Sequence, residues 1–359
     1  MTEKNLSLRF AESVTSYFRP GMMKWHYQDG LVVMSILKVA QTYERQDLLS
    51  WCTDMYKGVI LPDGTIYSYE KGEYNLDQIN AGRILPEIYR LSKDNRFLIA
   101  KKTLEDQLDK QPRTLNGIYW HKGIYPWQVW LDGLYMQGPF RTKCGHFDDV
   151  ALQLEKVYAT LKDEKTGLLY HAWDESRGQR WSDIETGLSP HFWSRSIGWY
   201  LMSCIDCLEL SGDRSDHSLQ LKKIIKELLG SVYEMRKDGM WYQVPDCPEE
   251  KGNYRETSAT SMFCYSALKA SHMGITSDYV SDAIDAMNTM CDNYVEEKDD
   301  IVHLGGICSV AGLGGNPYRD GSLKYYFCEP VVKDDFKGTG PFILACLELE
   351  KYFRNKKEL

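Results

Sequence analysis

This chain predicts an all-α toroid built from helical hairpins. Three observations carry that expectation. Apolar residues recur at spacings of three and four through about twelve stretches. Strand-like alternation is scarce and short. Long connections rich in Gly, Pro, Asn, Asp and aromatics alternate with short ones. Long and short connections alternating around about six helix pairs suggest a closed ring of hairpins, an (α/α)6 barrel, with the long loops building one rim.

The elements follow in order. Residues 6–18 and 48–59 keep the helical spacing weakly, and 31–43 between them keeps it strongly. Clear periodicity returns at 79–91 and 97–108, separated only by the short connection 92–95. A weaker helix fits 131–137, followed by strong ones at 150–161, 197–210 and 219–235, the last two joined by the short connection 211–216. Residues 261–270, 280–294 and 342–352 complete the set, and 239–244 alternates as a short strand. The long connections are 63–74, 111–128, 163–191, 237–257 and 297–339. Long loops inside a compact domain usually carry function. No change in composition, low-complexity run or tight repeat breaks the chain, so residues 1–359 read as one domain.

Composition narrows the function. Hydrophobic residues make up 43% of the chain, enough for a large core, and the 24 Tyr and 10 Trp suit a groove that stacks on sugar rings. A formal net charge of -8 argues against nucleic acid or an anionic membrane as partner, and no apolar run reaches membrane-spanning length. The start, Met1-Thr2-Glu3-Lys4-Asn5, lacks the basic-then-apolar pattern of a secretion signal. With ten Cys and no disulfide spacing, the chain is expected in the cytoplasm. Cys204 and Cys207 form a C-x-x-C inside an apolar helix and read as core. Cys144, His146 and Asp148 lack metal-site spacing. No metal site is expected.

The most informative stretch runs from Gly123 to Met136. It sets a single acid, Asp132, among Trp127, Trp130, Leu131, Leu134 and Tyr135. Poor hydration disfavours the charged form of a carboxyl group, and an acid that keeps its proton near neutrality can serve as a general acid. Asp132 can equally cap a helix beginning near Gly133. Asp77, at the start of the 79–91 helix, has the same two readings: N-cap, or a second carboxylate facing Asp132 across a cavity. Two carboxylates facing one sugar are the recurring apparatus of glycoside cleavage.

Around these acids the long loops hold Tyr119-Trp120-His121-Lys122, His171-Ala172-Trp173-Asp174 and Ser189-Pro190-His191 leading to Trp193-Ser194-Arg195-Ser196-Ile197-Gly198-Trp199. Arg195 at a helix start opposes the peptide dipole, which points to a reason such as gripping a carboxylate; a salt bridge to a structural acid is the alternative. His121, His171 and His191 are candidate donors to substrate oxygens. The glycines of 312–326 lack the Gly-Lys-Ser/Thr ending of a phosphate loop and read instead as a tight loop presenting backbone and Tyr groups at a pocket rim.

Four of these motifs in one order, namely Pro126-Trp127 to Met136, the His171 tetrad, the Trp193 to Trp199 segment, and residues 312–326 followed by 335–341, resemble the unsaturated rhamnogalacturonyl hydrolases, glycoside hydrolase family 105. The resemblance covers nearly the whole chain and implies an (α/α)6 barrel with a deep pocket at its rim. It implies Asp132 as proton donor and Asp77 as the acid that holds sugar and water. It matches His121, Lys122, His171, Trp193, Arg195 and Trp199 to pocket residues, and a pocket Tyr near Trp25-His26-Tyr27 to Tyr27.

The implied substrate is an anionic oligosaccharide made by a polysaccharide lyase, ending in a uronic acid with a C4=C5 double bond. Protonation of C4 by Asp132, addition of water at C5 and collapse of the hemiketal would release the sugar, and no metal or organic cofactor is required. The substrate carboxylate calls for Arg195 or Lys122, and the flat ring for Trp199 or Trp193. The alternatives are an unsaturated glucuronyl hydrolase acting on other lyase products, a sugar epimerase or isomerase, and a non-catalytic sugar-binding protein. Residues 111–125 and 241–255 would choose the leaving sugar. The only protein partner considered is a second copy, as a homodimer.

Overall fold

The computed structural model describes residues 5–212 and 215–357. The chain begins with α1 (Leu6–Tyr17), α2 (Tyr27–Thr42) and α3 (Gln46–Val59), and continues through α4 (Leu85–Ser92), α5 (Arg96–Leu108), α6 (Leu131–Lys143) and α7 (Phe147–Leu161). Then come α8 (Ser194–Ser211), α9 (His217–Glu234), α10 (Thr257–His272), α11 (Val280–Tyr294), a short α12 (Leu323–Cys328) and α13 (Phe336–Lys357). Three two-stranded antiparallel ribbons decorate the loops: β1 (Gln128–Trp130) with β2 (Ala172–Asp174), β3 (Val295–Lys298) with β4 (Ile301–Leu304), and β5 (Ile307–Cys308) with β6 (Val331–Val332). The strand expected at 239–244 is reduced to isolated bridges, Lys237 to Met240 and Tyr242 to Arg255.

Six helical segments form a closed inner ring. α2 packs on the 3-10 segment Asn80–Ile84 that leads into α4, that segment on α6, α6 on α8, α8 on α10, α10 on α13, and α13 returns to α2. Each carries an outer helix: α3 on α2, α5 on α4, α7 on α6, α9 on α8, α11 on α10 and α1 on α13. The toroid of six hairpins is therefore observed. Its two layers differ in pattern. α8 is buried continuously from Ser194 to Leu208 and α10 from Thr257 to Ala270. α9 buries only one face, through Leu221, Ile224, Ile225, Leu228, Leu229 and Val232. Each large aliphatic side chain so buried contributes about 1.5–3 kcal/mol.

Small residues let the inner helices close. A Cβ on Gly30 would come within 2.6 Å of the Ala81 backbone, one on Gly198 within 2.7 Å of Met262, and one on Gly340 within 2.8 Å of Leu31.

The periodic stretches mark inner helices too narrowly. α2 begins four residues ahead of Leu31, α8 three ahead of Ile197, α10 four ahead of Ser261 and α13 six ahead of Phe342. Their first turns are polar or mixed because they face the rim rather than the core. α6 also runs past its expected end at Gln137, through Pro139. Proline cannot donate to the carbonyl four residues back. Asn80 Nδ2 does so instead, at 3.1 Å from the Tyr135 oxygen. The helix expected at 79–91 is split: a 3-10 segment precedes α4, with Pro86 near the α4 start.

A charged network crosses the inner ring. Asp206 of α8 accepts from Arg83 Nη2 at 2.6 Å, Tyr265 OH at 2.5 Å and Lys269 Nζ at 3.2 Å. Lys269 also reaches Glu209 at 2.6 Å, and Arg83 Nη1 donates to Tyr135 OH at 2.8 Å. Burial opposes the charge on Asp206, but Lys269 and Arg83 overcome it and hold the carboxyl far below the usual range.

Cys204 and Cys207 lie in the core of α8, and all ten cysteines are free thiols. Cys144 faces Glu105 and Lys101, while Asp148 accepts from Ser215, so the triad with His146 is not assembled. Among the described residues, no helix is long and apolar enough to cross a membrane. Residues 1–4, on which most of the signal reading rests, and 213–214 within the 211–216 connection lie outside the described residues.

Candidate active site

The first turns of the inner helices meet at one end of the ring. β1 and β2 position Asp132. Their register pairs Trp130 with Ala172, which sets His171 opposite Leu131, and the Leu131 N–H donates to the His171 carbonyl at 3.2 Å. Asp132, one residue on, brings Oδ2 to 3.5 Å from His171 Nε2. Both atoms are buried and neither has a hydrogen-bond partner. On the far side of the imidazole, Nδ1 lies 2.8 Å from Tyr326 OH. α6 starts at Leu131 without a side-chain cap, so Asp132 sits inside the first turn and is not the helix cap. Of its expected apolar neighbours, Leu131, Leu134 and Tyr135 are core, but Trp127 turns outward against Trp120 and is 36% exposed.

Asp77 is not a cap either. Asn75 takes that role: its side chain accepts the Asp77 N–H at 3.1 Å and opens the 3-10 turn Leu76–Gln78. That turn is tied to the preceding loop by the Leu76 N–H, which donates to the His121 carbonyl at 3.1 Å. The Asp77 carboxylate is thereby delivered to Lys122 Nζ at 2.7 Å and His121 Nε2 at 3.6 Å. Burial alone would raise its pKa; Lys122 and His121 overturn that and bring it down to about 2. Burial also opposes the charge on Lys122, yet Asp77 holds its ammonium above the usual value. His121 goes the other way. Burial outweighs Asp77 and pushes its pKa down to about 4. Its ring lies nearly parallel to Trp130, 4.8 Å between centroids and 9° between planes, and Tyr125 stacks on the same indole at 5.2 Å. Gly133 makes room, since a Cβ there would stand 2.9 Å from His121 Nδ1.

Tyr27 begins α2 and feels Asp77, Arg195 and Asp132 together. The two carboxylates, His121, Lys122, His171, Tyr27 and Arg195 thus belong to one cluster. Arg195 donates Nη1 to the Cys308 carbonyl at 2.5 Å and to Ser258 Oγ at 3.3 Å, and stands 4.0 Å from Glu256. Its Nε is buried without a partner. Glu256 is itself the N-cap of α10 and accepts from Ser258 and Ala259 N–H. The structural-acid alternative for Arg195 is therefore partly realised. The two tryptophans are buried in the walls of the cluster. Trp199 stacks on Tyr135 at 5.0 Å and meets Tyr27 edge-on, while Trp193 lies under Arg195 at 4.6 Å and bonds Gln243 through Nε1. Both are only 1% exposed. They build the walls of the cluster instead of presenting open stacking faces.

Several members of the cluster were not singled out in the sequence. His26 packs on Tyr27 at 4.5 Å; burial lowers its pKa, and it feels Asp77, Lys122, Lys337 and Asp335. Lys337 pairs with Asp335 at 2.7 Å, and burial together with Arg195 lowers its pKa. The 335–341 motif contained both residues without a role. Tyr326 was one Tyr among several on the rim loop. His191 lies elsewhere: burial lowers its pKa and Asp246 opposes that shift, with no member of the cluster involved. Asp174, from the His171 tetrad, anchors a turn by accepting from Ser176, Gly178 and Gln179 N–H. Among the described residues, no group of three or more His, Cys, Asp or Glu is placed to hold a metal ion.

The structure is a toroid of six helical hairpins that carries two carboxylates near the starts of its inner segments. The chain belongs to the glycoside hydrolases of families 88 and 105: residues 4–353 match Glycosyl Hydrolase Family 88. It is 38% identical to a C. acetobutylicum glycoside hydrolase from family 105, with a TM-score of 0.94 over 96% of this chain and 99% of that one. Protein Atu3128 of Agrobacterium fabrum is 36% identical over 206 residues, 55% of this chain and 88% of that protein. The unsaturated rhamnogalacturonyl hydrolase YesR of Bacillus subtilis is 23% identical over 255 residues, 66% of this chain and 68% of YesR.

Proposed function

We propose that this glycoside hydrolase releases the 4,5-unsaturated uronic acid from the non-reducing end of lyase-generated rhamnogalacturonan oligosaccharides. The observation that carries the reading is the contrast between the two carboxyl groups. Asp77 is locked as an anion by Lys122 at 2.7 Å, whereas Asp132 Oδ2 lies 3.5 Å from His171 Nε2 and has no hydrogen-bond partner. Two acids in unlike environments can take unlike roles. The named likeness to YesR supports the choice of leaving sugar.

The chemistry follows from the substrate. The C4=C5 bond next to the ring oxygen is an enol ether, electron-rich at C4. Asp132 gives its proton to C4, and the ring oxygen stabilises the cation left at C5. Water adds at C5 and its proton returns to Asp132. The resulting hemiketal opens to a C5 ketone, which leaves a hemiacetal at C1 that expels the remaining sugar. C1 is never attacked, so the distance between the carboxylates does not set a stereochemical outcome. Asp77 accepts hydrogen bonds from the sugar and the water. The substrate carboxylate lies toward Arg195, because Lys122 is already engaged by Asp77.

A panel of unsaturated disaccharides tests the reading. Loss of the enol ultraviolet absorbance is expected with an unsaturated galacturonyl-rhamnose. Faster loss with glycosaminoglycan-derived disaccharides would move the assignment to an unsaturated glucuronyl hydrolase. No loss with any of them would end it. Lys122→Met supplies a second check. Without the ammonium, burial raises the Asp77 pKa, so the acidic limb of kcat/KM should move to higher pH. Activity at neutral pH should fall on the order of 10–100-fold. An unchanged acidic limb would remove the Asp77–Lys122 pair from the reaction.

A further inference from the structure

Tyr326 has no place in the reaction as written, yet it makes one of the few side-chain contacts to His171. We infer that Tyr326 is a positioning residue that selects the tautomer of His171, so that an N–H faces Asp132. This rests on the role proposed above for Asp132.

The geometry leaves Tyr326 little choice. Its ring is fully buried against Trp193, with centroids 6.5 Å apart, and against Tyr325 at 5.2 Å. Its hydroxyl has one hydrogen-bond partner, His171 Nδ1 at 2.8 Å. A buried hydroxyl hydrogen without an acceptor costs about 1–3 kcal/mol. The hydroxyl therefore donates, and Nδ1 accepts. The ring proton of the neutral imidazole must then sit on Nε2, the nitrogen 3.5 Å from Asp132 Oδ2. The opposite tautomer would strand the phenol hydrogen and turn a lone pair toward Asp132.

This arrangement has a consequence for the acid. Nε2–H supports the Asp132 carboxylate after its proton has gone to C4, and readies it to take the proton of the incoming water. Nδ1 is engaged by Tyr326, which leaves Nε2 to face Asp132. A doubly protonated ring would form an ion pair with Asp132 and hold it as the anion before substrate arrives. The other charged or titratable groups that act on this unit are His121 and Tyr27 near Asp132, and Tyr325, Asp320 and Cys308 near Tyr326. None of them makes a hydrogen bond to either ring nitrogen of His171.

Tyr326→Phe keeps the packing and removes only the hydroxyl. It is expected to lower kcat about 10–100-fold, to leave KM near the wild-type value, and to displace the basic limb of the pH profile toward acid. A purely structural role would change thermal stability without moving that limb. The tautomer is read independently by 15N NMR of histidine-labelled protein, with His171→Asn to assign the signal. The wild type should show Nε2 protonated and Nδ1 bare, and Tyr326→Phe should show a mixture or an imidazolium. Wild-type kcat and pH profile in Tyr326→Phe, or an Nδ1-protonated ring in the wild type, would overturn the inference. If the wild type turns over no unsaturated uronide, the proposed reaction falls while the NMR result still decides the tautomer.

Discussion

Asp132→Asn is expected to fold like the wild type and to lose turnover by about 10²–10⁴-fold or more. The substitution preserves shape. Asp132 Oδ2 lies 3.5 Å from His171 Nε2 and makes no hydrogen bond that the change would break. The stability change should therefore stay within about 0.5 kcal/mol. An amide cannot deliver a proton to carbon or take one back from water, so both halves of the reaction are lost together. Enol absorbance measures the turnover, and solvent deuterium at C4 of the product locates the proton transfer. Near-normal rates, or product without deuterium at C4, would withdraw Asp132 as the donor.

Asp206→Ala should have the largest effect on stability. It removes the anion that Arg83 and Lys269 share within the inner ring, where all three side chains are at most 5% exposed. Breaking a buried ion pair by deleting one partner costs about 3–5 kcal/mol, because the remaining charges stay desolvated. Glu209 still pairs with Lys269, so Arg83 bears most of the loss. In a chain of this size the midpoint should drop by about 4–7 °C by scanning calorimetry. An unchanged midpoint would show that Arg83 finds another partner.

The pH dependence has a definite sign. The folded pKa of Asp206 is depressed, so its contribution is present above the unfolded value and lost only as pH falls toward the folded one, in strong acid. His121 is lowered to about 4, so the unfolded chain binds more protons between the ordinary histidine value and pH 4. Stability should begin to decline there as the medium is acidified, before Asp206 is titrated.

The ring of hairpins was legible because outer helices display a half-buried stripe and the core stretches of inner helices are apolar. What periodicity hid were the ends. Residues 27–30 and 194–196 are helical but carry the polar side chains of a rim, so they break the apolar spacing. α6 runs on beyond the expected Gln137, through Pro139, because Asn80 serves the carbonyl that the proline leaves free, a pairing no local spacing reveals. The acids of the site were visible as isolated carboxylates, and the four ordered motifs added the family. Their partners were harder to see. Lys122 is 45 residues from Asp77 in the chain, and Tyr326 is 155 from His171. Pairings at such separations follow from the closure of the ring, not from any local spacing. Asp77 was also mistaken for a possible cap because Asn75, two residues earlier, does that work.

Because the starts of all six inner segments gather at one end, those segments run parallel and their peptide dipoles add along the barrel axis instead of cancelling. One mouth of the toroid is thus electropositive by construction and the other electronegative. Arg141 and Lys143 in the final turn of α6, and Lys269 in that of α10, place cations toward the electronegative mouth. The anionic substrate proposed above would thus meet helix N-termini at a single face of a molecule whose formal net charge is -8.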